Sequence, residues 1–283
     1  MKLSPHELRL RAAEARRHYV SCDLCAHFCG VDRTRGPAGA CQEDDGLALA
    51  GAGVHYGEEP RLVPSGLILI AGCNLACQTC ETWSFSLERR DVVRTSAAQL
   101  AALLLDLQKA DAANANFVTP THVLPVLLEG LALAAEHGFS LPVVWNCGGY
   151  ESVAALRLLD GVVDVYLPDA KYGDDAVAYE LSGCRRYTAA LEQSLREMHR
   201  QADLIVRHLV LPAGVAAPEQ LMPRIAAISP AICVNVLSQY RPLYRASRFP
   251  VVARTVTQTE VAATVDAALS AGLRNLLVDG RPI

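Results

Sequence analysis

The chain has 283 residues, 51% of them hydrophobic and 20% charged, with a formal net charge of −4. That balance excludes a disordered chain, and Lys and Arg scattered among acids exclude a phosphate-binding stripe, so no nucleic-acid partner is expected. Glu7 and Glu14 interrupt the early arginines, no apolar signal core follows, and the longest apolar run is far short of the ~20 residues of a membrane helix, so a cytoplasmic protein with no membrane association is expected.

Ten cysteines in a reducing compartment point to metal or cluster ligation rather than to disulfides. Four of them fall in the first of two expected domains, residues 1–60, where an amino-terminal helix leads into a Gly-rich stretch with the pattern Cys22-x2-Cys25-x3-Cys29-x11-Cys41. So little apolar sequence builds a poor core, and a metal staple supplies what is missing. Four thiolates suit tetrahedral zinc, and a second iron–sulfur cluster fits the ligand count equally well.

Residues 61–283 form the expected second domain, in which apolar runs alternate with helical segments. The runs lie at 67–71, 116–119, 142–145, 162–167, 204–211, 232–237 and 275–278, and they lack the polar alternation of a strand with one wet face. Helices are expected at 97–109, 122–137, 151–159, 187–201, 218–227 and 259–271. Capping boxes at Ser96-Ala-Ala-Gln99 and Thr257-Gln-Thr-Glu260 mark two of their starts. Six or so β/α units predict an α/β fold with a parallel sheet, open or closed into a barrel. Chemistry in such folds collects at the carboxyl ends of the strands, and the residues there are polar. They are Cys73, then Thr119 to His122, then Asn146-Cys147-Gly148-Gly149, then Asp169-Ala-Lys171, with Arg207-His208 inside the fifth run.

Cys73-x3-Cys77-x2-Cys80 places three thiols in one loop directly after the first run. An electron-carrying [4Fe–4S] cluster takes four cysteines, whereas three leave one iron open to an outside ligand. A structural zinc or three buried thiols is the competing reading.

With that loop, the segments GCNL (72–75), VTPTH (118–122), NCGGYE (146–151), LLDGVVD (158–164), YLPDAKY (166–172), RHLVLP (207–212) and QYRP (239–242) carry a resemblance. From about residue 20 to about residue 250 the chain is similar to iron–sulfur proteins related to the pyruvate formate-lyase activating enzymes, within the radical S-adenosylmethionine (SAM) family. The resemblance implies a partial (β/α)6 TIM-like barrel, a [4Fe–4S] cluster on the catalytic trio Cys73, Cys77 and Cys80, and SAM as co-substrate. It also implies a flavodoxin- or ferredoxin-like reductant and a 5′-deoxyadenosyl radical that abstracts hydrogen. The target is a glycyl residue of a protein or a peptide on one reading and a free small molecule on another. A non-catalytic iron–sulfur electron carrier is a third.

By the same similarity Asp169, Lys171 and Arg207 bind the methionyl zwitterion, against the alternative of a structural ion pair at the rim. Lysine is scarce, the others being Lys2 and Lys109. Asn146 ends a strand beside two glycines that admit a ligand. The chain departs from the family pattern at Thr79, where an aromatic residue is usual, which leaves the adenine to Trp83 or Phe85. It also lacks the usual Gly-Gly-Glu segment, so the hydroxyls of Thr119 and Thr121 are expected to contact the methionyl ammonium instead. Cys147, Cys184 and Cys233 are read as small buried hydrophobes.

Overall fold

A computed structural model describes residues 2–57 and 59–283. Helix α1 (Pro5–Arg17) starts in a capping box between Ser4 and Glu7, and it buries Leu8, Ala12 and Ala15 on one face. Those residues recur at helical spacing, and the face packs on α4 (Leu124–Glu136).

The chain then enters a ten-stranded sheet. Strand β1 (Leu47–His55) runs antiparallel to β2 (Ser65–Ile70), and β3 (Val93–Thr95) pairs with the far side of β1. From β2 the sheet is parallel through β4 (Asn114–Val118), β5 (Val143–Cys147), β6 (Val165–Pro168), β7 (Asp203–Leu209), β8 (Cys233–Leu237) and β9 (Asn275–Val278). A two-residue strand, β10 (Arg281–Pro282), closes the order β10-β9-β8-β7-β6-β5-β4-β2-β1-β3. The protein is therefore α/β with a mostly parallel sheet. All five residues of β5 are buried, as the unbroken apolar runs predict for strands covered on both faces.

The two predicted capping boxes are present, at Ser96 before α3 (Ala97–Lys109) and at Thr257 before α9 (Gln258–Ser270). Helices α5 (Val153–Leu158), α7 (Tyr187–Gln201) and α8 (Pro218–Ala226) also lie where expected. Two helices were not predicted. One is the single turn α2 (Trp83–Ser86), and the other is α6 (Asp175–Ser182), whose Asp174 carboxylate accepts from the backbone of Ala176 and Val177. No described helix is long and apolar enough to cross a membrane.

The parallel register brings the carboxyl ends of β2 through β8 to one side. Leu67, Leu69, Val118, Arg207, Leu209 and Leu237 from four of these strands line a single cavity of about 550 Å³, so the sheet curls around it.

Candidate functional site

Cys73, Cys77 and Cys80 all line that cavity. Their loop leaves β2 through Gly72, whose φ of +83° and lack of a Cβ let it pass the Glu43 side chain; a Cβ there would meet it at 2.6 Å. Gly148 serves from the other side, because Leu75 packs on its bare backbone where a Cβ would lie 2.3 Å from the leucine methyl. Each sulfur has its own contacts. The Leu75 N–H donates to Cys73 Sγ at 3.3 Å, Ser182 Oγ donates to Cys77 Sγ at 3.1 Å, and Cys80 Sγ lies 3.3 Å from Ser86 Oγ. Burial, with Cys77 and Cys80 nearby, pushes the Cys73 thiol up to about 12. Burial also raises Cys77, while the Lys171 ammonium pulls it back down. Burial thus holds the Cys73 and Cys77 thiols protonated, and the Lys171 ammonium is the charge that favours the Cys77 thiolate.

Lys171 Nζ is 2.7 Å from Asp169 Oδ2 at the end of β6, and both line the cavity. The Lys171 backbone N–H donates to Tyr187 Oη at 2.8 Å, which fixes the start of the side chain. Thr119 and Asn146 also line the cavity. Thr119 is held at a φ of +59°, an unusual backbone for threonine, and its N–H donates to the Asn146 carbonyl at 2.8 Å.

Arg207 reaches the cavity with its guanidinium already engaged. Nε and Nη2 each bond a Glu59 carboxylate oxygen at 2.8 Å, and Asn235 Nδ2 donates to the same carboxylate at 2.9 Å. Burial alone would raise the Glu59 pKa, but the Arg207 fork and Asn235 hold it below the ordinary value. Sequence reasoning missed Glu59, which pairs with a residue 148 positions away.

Thr121 does not line the cavity. It lies buried, at 3% exposure, in a polar knot around the Glu151 carboxyl that includes Cys147 and Asn74. Neither Glu151 oxygen nor the Thr121 hydroxyl closes a hydrogen bond of good geometry. Burial pushes the Glu151 carboxyl from its ordinary 4.5 up to about 7. Between those values the folded protein keeps a proton that the unfolded chain has released. Its contribution to stability is therefore complete below the unfolded value and is lost as pH rises through 7. For the apoprotein, Glu151→Gln is expected to stabilise by about 3 kcal/mol more at pH 8 than at pH 4.5 relative to wild type, read from urea unfolding. An equal difference at the two pH values would refute the assignment.

The amino-terminal cysteines also come together. Cys29 Sγ donates to the Cys22 carbonyl oxygen at 3.8 Å, and, beyond burial, Cys22 and Cys41 help raise the Cys25 thiol, so the four cysteines lie in one region of the chain. Among the described residues no three His, Cys, Asp or Glu side chains converge tightly enough to chelate a single ion. Trp83 and Phe85, the expected adenine contacts, do not line the cavity, and Trp83 stacks on Tyr244 at 5.5 Å. Leu209, Leu211, Leu237 and Tyr240 are among its apolar lining.

No protein-family model matches the chain. A protein of Methanocaldococcus jannaschii, the uncharacterized protein MJ0674, is 31% identical over 269 residues, which cover 92% of this chain and 77% of its own length. The chain belongs to the MJ0674 family. Membership spans both the cysteine-rich lobe and the parallel sheet, since the shared 92% leaves room for neither to be missing.

Proposed function

We propose that this member of the MJ0674 family is a radical SAM enzyme built on a partial (β/α) barrel, which cleaves SAM reductively and abstracts a hydrogen atom from a second substrate. The observation that carries the reading is the meeting, in one cavity, of three thiols from a single loop with the Asp169–Lys171 pair. The residues fit a [4Fe–4S] cluster. A cubane sets its thiolates on separate irons, farther apart than ligands of one ion, and three thiolates leave the fourth iron for an outside ligand. When bound, the cluster supplies one electron for cleavage of the sulfonium.

The chain's own residues bind, orient and exclude water. Lys171 offers its ammonium to the methionyl carboxylate, and Asp169 offers its carboxylate to the methionyl ammonium, each giving up part of its bond to the other. Thr119 and Asn146 form the adjoining wall at the ends of β4 and β5. Leu209, Leu237 and Tyr240 supply the apolar surface against which a nucleoside can pack, with Tyr240 fixed by its hydroxyl bond to the Val252 carbonyl at 2.7 Å. Arg207, neutralised by Glu59, lines the cavity and supports the site's wall.

Lys171→Ala is expected to weaken SAM binding roughly tenfold or more, because a charge-assisted contact is lost in a partly dry site. The measurement is a SAM titration of the reduced, reconstituted protein followed by the change in its electron paramagnetic resonance (EPR) spectrum. Binding as tight as wild type would remove Lys171 from the nucleotide site.

A further inference from the structure

All but two of the chain's 19 glycines are explained where they stand: each either takes a positive φ or leaves no room for a Cβ, which would come within 3 Å of another group. The two are Gly51 and Gly53 on β1. Neither has a positive φ, and a Cβ on either would meet nothing within 4 Å. Glycine inside a strand costs about 0.5–1 kcal/mol relative to alanine. It marks a bulge or a close approach to bare backbone. The register shift of β1 falls between Leu49 and Gly51, which leaves Gly53 outside it. The folded chain itself makes no use of this bare surface.

That surface continues the cavity. Gly51 stands opposite Leu69 and Gly53 opposite Leu67, and opposed residues of neighbouring strands share a face. Both leucines line the cavity, as does His55 two residues beyond Gly53. Pairing carries the first row on from Leu69 to Val118 of β4 and to Asn146 of β5. Gly51, Leu69, Val118 and Asn146 therefore form one row over three strand spacings, about 14 Å along the sheet. The apolar surface proposed for the nucleoside comes from other parts of the chain, the ends of β7 and β8 and Tyr240.

Two further observations say what would lie on the row. Asn146 is 8% exposed and lines the cavity, and its side-chain amide meets no hydrogen-bond partner among the described residues. A polar group so deeply placed is costly unless something bonds it. The second observation is charge. Lys171 pairs with Asp169 and Arg207 with Glu59, whereas Arg241, also in the lining, meets no carboxylate among the described residues. The remaining acid of the lining, Glu81, adjoins Cys80 in the cysteine loop.

We propose that the row from Gly51 to Asn146 is the subsite of the second substrate, and that this substrate is a small, flat, mostly apolar organic anion. Its flat body lies on the bare backbone of β1 and on Leu69 and Val118, its polar edge meets the Asn146 amide, and its anionic group faces Arg241. Calling the ligand a substrate rests on the radical SAM reading; the subsite is a feature of the chain's own residues.

The probe is 8-anilinonaphthalene-1-sulfonate, a flat aromatic anion, titrated into the full-length reconstituted protein by calorimetry. Wild type is expected to show one saturable site. Gly51→Val and Gly53→Val each put methyl groups where the rings lie, and each is expected to weaken binding roughly tenfold or more. Their Tm should hold or rise, because the new side chain enters open space and suits a strand. Arg241→Gln should weaken binding roughly tenfold as well. The uncharged N-phenyl-1-naphthylamine should bind wild type more weakly than the sulfonate and should not distinguish wild type from Arg241→Gln. Three results would overturn the inference: no saturable site in wild type, undiminished affinity in both valine variants, or a fall in Tm in both, which would return the glycines to the fold. Equal affinity for the charged and uncharged probes would overturn the anion. The titration involves no turnover, so it is separable from the enzyme reading. Binding as expected in a protein that does not cleave SAM would remove that reading and leave the subsite, and SAM cleavage without binding would do the reverse.

Discussion

Cys77→Ala is expected to remove the iron held at the cavity and to lower SAM cleavage by roughly three orders of magnitude or more, to background. Two thiols cannot hold a cubane, and the lost sulfur is the one that accepts from the Ser182 hydroxyl and feels the Lys171 ammonium. The fold should survive, because the change trims one small side chain at a cavity wall at a cost of about 1 kcal/mol. The control is Cys184→Ala. Cys184 is wholly buried and lies outside the cavity lining, so its replacement should leave iron content unchanged. Equal iron loss in the two variants, measured by metal analysis after anaerobic reconstitution, would mean that the trio is no more than three buried thiols.

Arg207→Ala is the largest expected change in stability. Glu59 is 2% exposed and its carboxylate holds two bonds to Arg207 and one to Asn235. Removing the guanidinium leaves a buried carboxylate with a single amide donor, at a cost of about 3–5 kcal/mol. For a chain of this size that corresponds to a fall in Tm of roughly 6–15 °C. The sign of the pH dependence follows from the depressed Glu59 pKa. The pair's contribution is present above the unfolded carboxyl value and is lost as pH falls through the folded one. Arg207→Met with Glu59→Gln should recover at least half of the loss, since no charge is then stranded. A single variant as stable as wild type in thermal unfolding would show that the pair is not structural.

The parallel strands were legible because burial on both faces writes an unbroken apolar run. The site was legible because each run ends in polar residues at the same end of the sheet. Boundaries drifted by one to three positions, as at β4, predicted from residue 116 and observed from Asn114. Asn114 and Asn116 are buried polar residues bonded to Leu62 and Ser65, which no local pattern announces. Strand β1 was not predicted because Leu-Ala-Leu-Ala-Gly-Ala-Gly-Val-His offers little β-branching; pairing with β2 and β3, rather than propensity, makes it a strand. Glu59 was missed because its partner, Arg207, lies far away in the chain. Glu151 was quoted as part of a motif, yet its burial without full hydrogen bonding could be known only from the packed structure.

The central claim is that the trio places SAM for reductive cleavage, and product analysis tests it most directly. Protein reconstituted with iron and sulfide under anaerobic conditions is reduced with dithionite, given SAM alone, and assayed for 5′-deoxyadenosine and methionine. The account predicts both products in equal amounts from wild type and neither from Cys77→Ala. Iron-loaded, reduced wild-type protein that binds SAM and yields no 5′-deoxyadenosine would contradict it.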